Sequence, residues 1–300
     1  MSVVRNIKLL LLFFCCASLA HAAPALPMAN GCMIMSNQQQ VCEPFMVTDA
    51  QQISIVGSAD YQTVNDRVKA FGFKPIPLVE IAKTRAAMLV NMIHYEKTGI
   101  GPYDELVIMY PVQPINGSLV YLNGLDYLTR SVLIKNDSKA PKLGNFMEHL
   151  VLDSTDSFAL NTALRSGREA YGFPKSVGKI EVDMKGSWSK SFSAVNESKE
   201  LSVDVDLKVW LLGNLDLIPV NADLYMVTTG LGFPVWEKSS GSGFLSLPIV
   251  ITPLDKVEIK GSGAKKALYD KLDFRAEVWN YSTDWDFLFG SAEKEKIFQK

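Results

Sequence analysis

Histidine and cysteine are scarce in this 300-residue chain, three of the one and four of the other, and each scarcity excludes a class of chemistry. His21 falls in a leader described below, which leaves His94 and His149, 55 positions apart. The chain has no H-x-x-x-H or H-E-x-x-H pair and no Cys/His cluster, so a zinc site is excluded by pattern and no metal is expected. Neither histidine accompanies a G-x-S-x-G elbow, which argues against an α/β-hydrolase. Both lie in apolar runs and are expected to pack in or at the rim of a core. Gly261-Ser262-Gly263-Ala264-Lys265-Lys266 lacks phosphate-loop spacing and reads as a turn entering a helix. No basic block is present either. The net charge is −2, and such mild acidity gives no electrostatic case for nucleic acid or an anionic membrane. Long apolar runs are missing too. Beyond the leader the longest, Phe244 to Ile251, is broken by Ser246 and Pro248, far short of the roughly 20 residues that cross a bilayer.

What is there begins with an export pattern. Arg5 and Lys8 precede an apolar run from Leu9 to Cys16, and Ala20-His21-Ala22 supplies small residues at the two positions a signal peptidase reads. Residues 1–22 are therefore expected to be a signal peptide cleaved after Ala22, and the mature protein to be secreted or periplasmic. Loss of Arg5 and Lys8 moves the net charge from −2 to −4. Cys15 and Cys16 leave with the leader. Cys32 and Cys42 remain, ten positions apart around a Ser-Asn-Gln-Gln-Gln tract, and in an oxidising compartment they suggest one disulfide closing a small loop. Residues 23–50 read as an irregular N-terminal arm, and 51–300 as a single domain with enough apolar residues for a full core.

Within that domain the periodicity is mostly that of strands. A helix fits Asp60 to Phe71, with Val64, Val68 and Phe71 at helical spacing. The runs 88–95 and 105–110 flank the turn-forming 97–102 and form a natural hairpin. Phe146 to Leu152 reads as a strand, and Asp153-Ser154-Thr155-Asp156 offers N-cap chemistry for a helix to about Ala170, stopped by Gly172 and Pro174. Alternation returns between Lys179 and Leu212, most cleanly at Leu201, Val203, Val205, Leu207 and Val209. Further strands fit 224–228, 247–252, 257–260 and 275–281, with a short helix at 264–272. Many short strands and few helices point to a mainly β fold, a closed or nearly closed and largely antiparallel barrel or cone.

One segment carries chemistry: Gly167-Arg168-Glu169-Ala170-Tyr171-Gly172-Phe173-Pro174-Lys175-Ser176. Gly-Arg-Glu, four residues, then Pro-Lys resembles the active-site segment of acetoacetate decarboxylases, whose lysine after the proline forms a Schiff base. Upstream, Gly99-Ile100-Gly101-Pro102-Tyr103-Asp104-Glu105 resembles the family's glycine-x-glycine-x-Tyr-x-Glu turn. Downstream, Pro253 to Ile259 and Arg275 to Val278 are similar to its closing strands. The resemblance spans about residues 60–285 and implies an acetoacetate decarboxylase-like barrel. It makes Lys175 the nucleophile and gives Glu105 an orienting or proton-shuttling role. Arg168, Glu169, Phe173 and Ser176 become supporting or substrate-contacting residues, with Arg168 and Glu169 fixing the helix end by local ion pairing. Ser176 stands where well-known members carry a second lysine, and Val90 where another carboxylate is expected. No early-strand arginine has a counterpart.

An amine attacks a carbonyl only when unprotonated, and a free lysine titrates near 10.4, a value that burial or a neighbouring cation lowers. With Ser176 in place of the adjacent cation, that burden falls mainly on burial by Phe173, Pro174 and Val177. The implied reaction is decarboxylation of a small β-keto acid without cofactor, in a homo-oligomer. Aldol or dehydration chemistry on keto acids keeps the same lysine, and a non-catalytic small-molecule-binding barrel keeps only the fold.

Overall fold

The computed structural model describes residues 32–34, 40–42, 45–77, 85–116, 144–186, 188–209, 216–229, 235–246 and 249–289. The leader lies outside them. Strands β1 (Cys32–Ile34) and β2 (Gln40–Cys42) form an antiparallel pair of their own, in which Cys32 and Cys42 are directly opposite Cα partners. The remaining strands are β3 (Phe45–Asp60), β4 (Phe73–Pro75), β5 (Arg85–Thr98), β6 (Tyr103–Pro114), β7 (Gly144–Asp153), β8 (Lys175–Asp183) and β9 (Ser189–Asn196). They continue with β10 (Leu201–Lys208), β11 (Asp216–Thr228), β12 (Val235–Ser246), β13 (Ile249–Val250), β14 (Lys256–Gly261) and β15 (Arg275–Phe289).

These thirteen strands make one mixed sheet in the order β14-β10-β9-β8-β7-β11-β12-β15-β3-β5-β6-β4, with β13 on β15. Only the pairings of β7 with β8 and with β11 are parallel. β7 also pairs β6, so β6, β7, β11, β12, β15, β3 and β5 follow one another round a ring of hydrogen-bonded neighbours. The ends of the path, β14 and β4, do not pair with each other, and the sheet as a whole is open. The expected mainly β, largely antiparallel fold is present, with barrel closure confined to the ring.

Three α-helices occur among the described residues: α1 (Tyr61–Val68), α2 (Ser157–Arg165) and α3 (Lys266–Leu272). Asp60 caps α1 by accepting from the Thr63 N–H at 2.7 Å, and Asp156 caps α2 by accepting from the N–H groups of Phe158 and Ala159 at 2.8 and 3.3 Å, each satisfying donors that a helix start leaves free. Some expectations need correction. The helix expected to about Ala170 is α only to Arg165 and then widens into a π turn over Ser166–Tyr171. The strand expected over 247–252 is reduced to Ile249–Val250, because residues 235–246 supply the longer strand that pairs β15. Residues 45–50, assigned to an irregular arm, open β3, where Val47 and Ala50 are fully buried.

β5, β6 and β7 bury both faces along most of their length. On β5, Leu89, Ile93 and Tyr95 join one apolar cluster and Met88, Val90 and Met92 the other. The first cluster draws on β3, β5, β6, β7, β11 and β15, all in the ring, together with Ala163 of α2 and Phe173. It is the interior of the ring. The second gathers Phe192, Leu201, Val203 and Val205 from β9 and β10 and Tyr269 and Leu272 from α3. It is the layer that packs the outer strands and helices on the ring.

Candidate active site

Lys175 is the first residue of β8 and sits in parallel register beside Leu150 of β7. Glu105 lies on β6, between Ile93 of β5 and Leu152 of β7. Direct partners share a face, so Glu105 faces inward with Ile93 and Leu152, members of the interior cluster. There the Lys175 Nζ stands 3.7 Å from the Glu105 Oε1, with side chains 10% and 7% exposed. This is an ion pair longer than a hydrogen bond. The Phe173 ring lies below the amine, 6.0 Å from Nζ to its centroid.

The local sequence explains how these groups are held. Gly167, in the π turn, lies against the lysine stem: a Cβ there would stand 2.4 Å from Lys175 Cε and 2.7 Å from Cδ. Only glycine leaves that space. The Phe173 N–H then donates to the Gly167 carbonyl at 3.0 Å, and Thr228 Oγ1 donates to the Gly172 carbonyl at 2.7 Å. The Leu150 N–H donates to the Pro174 carbonyl at 3.2 Å, which joins the turn to β7. On the carboxylate side, Gly101 has φ 103°, and a Cβ there would meet Asp156 Oδ2 at 2.9 Å. The hairpin turn leading to Glu105 therefore packs on the cap of the helix leading to Lys175. Burial pushes the Glu105 carboxyl above its usual range, and the Lys175 amine beside it pulls the other way.

Of the supporting residues, Phe173 is brought to the pair. Arg168 is not engaged in an ion pair among the described residues. Its Nε and Nη2 both donate to the Lys175 carbonyl, the former at 2.8 Å, so it fastens the start of β8. Of Glu169 only the backbone is described, within the π turn. Ser176 is directed away, because consecutive strand residues face opposite sides. Its Oγ donates to the Leu150 carbonyl at 3.1 Å and lies 3.3 Å from His149 Nε2. His149 is buried and its other nitrogen is 3.3 Å from Lys265 Nζ. Desolvation, with a smaller push from Lys265, lowers the imidazole to about 4. His94 is half-buried and paired with Asp104 at 2.7 Å, which raises it. Val90 belongs to the outer layer, so position 90 does not face the site.

Two features escape the sequence patterns. Glu148 occupies an irregularity in the β6–β7 ladder, where Ile108 pairs His149 and Met109 pairs Met147. Its side chain is 3% exposed and paired with Arg67 of α1 at 2.7 Å. A cavity of about 390 Å³ opens beside it, lined among others by Arg67, Glu148, Arg168, Phe173, Pro174 and Thr228. Lys175 and Glu105 do not line this cavity, but Phe173 belongs to its wall and also underlies the amine.

Solved structures share this architecture. The enduracididine biosynthesis enzyme MppR, in complex with pyruvate, superposes with TM-score 0.50 and 8% identity over 84% of this chain and 91% of that one. Acetoacetate decarboxylase from Legionella pneumophila matches with TM-score 0.46 and 14% identity over 92% of this chain and 94% of that one. A second acetoacetate decarboxylase structure gives 0.48 and 14% over 84% and 89%. The fold is mainly β, one mixed and largely antiparallel sheet of the kind found in the MppR structure. No protein-family model and no curated protein matches the sequence. At 8% identity the likeness to MppR speaks for the fold alone.

Proposed function

We propose that the protein is an exported enzyme that forms a Schiff base between Lys175 and a small keto acid and decarboxylates a β-keto acid. The observation that carries this reading is the Lys175–Glu105 pair, 3.7 Å apart with side chains 10% and 7% exposed, set in a buried interior. The amine must shed a proton before it attacks. Glu105, raised by burial, is the carboxyl at hand to hold that proton. The amine then adds to the ketone carbon, and water leaves with the proton that Glu105 returns to it. The protonated imine draws the electron pair of the breaking C–C bond as CO2 departs, leaving an enamine. Protonation of the enamine carbon and attack of water release the ketone and restore the amine.

Borohydride reduction in the presence of acetoacetate, followed by mass mapping, tests the imine directly. The expected result is an adduct on Lys175, absent from Lys175→Met, together with CO2 release in the unreduced reaction. An adduct without CO2 assigns the lysine to aldol or dehydration chemistry. No adduct at Lys175 refutes the enzyme reading and leaves a binding barrel.

The same reading includes export, with residues 1–22 removed, and a Cys32–Cys42 disulfide. The two cysteines are direct Cα partners in the β1–β2 pair, and such antiparallel partners lie about 4.5–5.5 Å apart at Cα, within the range a disulfide spans. It also includes self-association as a homo-oligomer, which sedimentation of the mature chain would show.

A further inference from the structure

The interior of the ring holds a second group of side chains that the reaction above does not use. Across four neighbouring strands, Ser282, Gln52, Ile93 and Glu105 are successive Cα partners, and beside them run Asn280, Ser54, Asn91 and Val107. Partners share a face, so five uncharged polar side chains accompany Glu105 on the inward side. All are buried: Gln52 3% exposed, Ser54 1%, Asn91 4%, Asn280 4% and Ser282 1%. Buried polar groups in such surroundings are normally matched. Some here are: Gln52 Nε2 donates to Ser54 Oγ, and Ser282 Oγ donates to the Gln52 carbonyl at 3.4 Å. The Oδ1 atoms of Asn91 and Asn280 have no hydrogen-bond partner among the described residues.

The two orphaned atoms are of one kind. Both are carbonyl acceptors, on either side of Ser54 in one row of three adjacent strands. Asn91 is the diagonal neighbour of Glu105, a separation of about 7–8 Å in an antiparallel pair. A group that satisfies these acceptors must bring O–H or N–H donors. A second carboxylate would meet lone pairs with lone pairs, and a purely alkyl chain would leave both oxygens unmatched.

We infer that the substrate of the Lys175 site is a keto acid whose chain carries hydroxyl groups on the far side of the carbonyl, donated to Asn91 and Asn280. The inference rests on the Schiff-base reading for the carbonyl and on the row of amides for the tail. The imine fixes one end at Lys175, and the chain runs past Glu105 along the inward faces of β5, β3 and β15.

The test compares two acids that differ only in hydroxyls, 3-oxohexanoate and 5,6-dihydroxy-3-oxohexanoate, in borohydride trapping on the full-length protein. The dihydroxy acid should half-saturate trapping at a concentration about tenfold lower, the order expected of one or two hydrogen bonds to otherwise unmatched acceptors. In Asn91→Leu, and separately in Asn280→Leu, that ratio should fall toward one. Thermal midpoints of Lys175→Met with each acid give a readout that needs no imine and neither leucine variant: the dihydroxy acid should raise the midpoint and 3-oxohexanoate should not. If the wild type traps neither acid but Lys175→Met still discriminates between them, the amide row stands and the lysine chemistry fails. Equal trapping of the two acids, or equal midpoints where neither is trapped, overturns the inference.

Discussion

Substituting Gly167 with alanine separates the position of the lysine from the stability of the fold. The added Cβ would stand 2.4 Å from Lys175 Cε, 2.7 Å from Cδ and 3.1 Å from Nζ. Carbon atoms rest at about 3.5–4.0 Å, so Cε must move by about 1 Å or more, and the amine moves with it. A displacement of that size at a reacting group costs about 100-fold in rate. The backbone itself accepts alanine, because Gly167 is not among the residues of positive φ. The atom struck is the far end of a flexible side chain, which can yield. Restricting the unfolded chain contributes about 0.4–1 kcal/mol in favour of alanine, set against the disturbed packing of the lysine. The expected result for Gly167→Ala is a trapping rate at Lys175 lower by about two orders of magnitude, with unfolding free energy within about 1 kcal/mol of the wild type. Rate constants from timed borohydride quenches and a urea titration measure the two quantities. Trapping at the wild-type rate would show that the lysine does not work from the place where Gly167 holds it. A loss of several kcal/mol would make the glycine structural.

The buried His149 makes a pH prediction. Its folded value is lowered from 6.5 to about 4, so its contribution to stability is complete above pH 6.5 and is lost as pH falls toward 4, to a limit of about 3 kcal/mol. His149→Gln should flatten that part of the stability–pH curve, read from urea midpoints at pH 7 and pH 4.5; an unchanged slope would show that other groups carry it. The Arg67–Glu148 pair should respond unequally, because the arginine side chain is 48% exposed and the glutamate 3%. Arg67→Met leaves a buried carboxylate without its cation and should cost about 3 kcal/mol, whereas Glu148→Gln should cost less; the reverse order in thermal unfolding would contradict the assignment. On the proposed export and disulfide, thiol titration of the chain lacking residues 1–22 should find no free cysteine before reduction and two after it. Cys32→Ser should lower stability by about 2–3 kcal/mol if the bridge forms.

The fold class was legible where strands alternate cleanly, as in β10, whose Leu201, Val203, Val205 and Leu207 are all buried, and where the 97–102 turn joins β5 to β6. β3 was not legible because both of its faces are buried. Ile53 and Ile55 pack in the outer layer, while Gln52 and Ser54 face inward, so the usual apolar-in, polar-out contrast is reversed along part of its length. The residues of the lysine motif could be found from their order, but adjacency in sequence misleads at a strand. Ser176 follows Lys175 and points to the opposite side, toward His149. Val90 fails as a carboxylate position for the same reason, since the inward residues of β5 are Leu89, Asn91, Ile93 and Tyr95. Burial of the lysine was expected from its apolar neighbours. The glycine that makes room for it and the arginine that holds its carbonyl become visible only when the π turn folds back.

Along one edge of β7 the partner changes. Asn145 and Phe146 pair β11, and Leu150 to Leu152 pair β8. The strand is thus a fork, with Met147, Glu148 and His149 in its crotch and only three rungs joining it to the strand of Lys175. Unzipping those rungs would carry the amine away from Glu105 and leave the pairing of the ring untouched. Chemistry at this site would then fail on warming before the barrel does, as a latch slips before a door breaks.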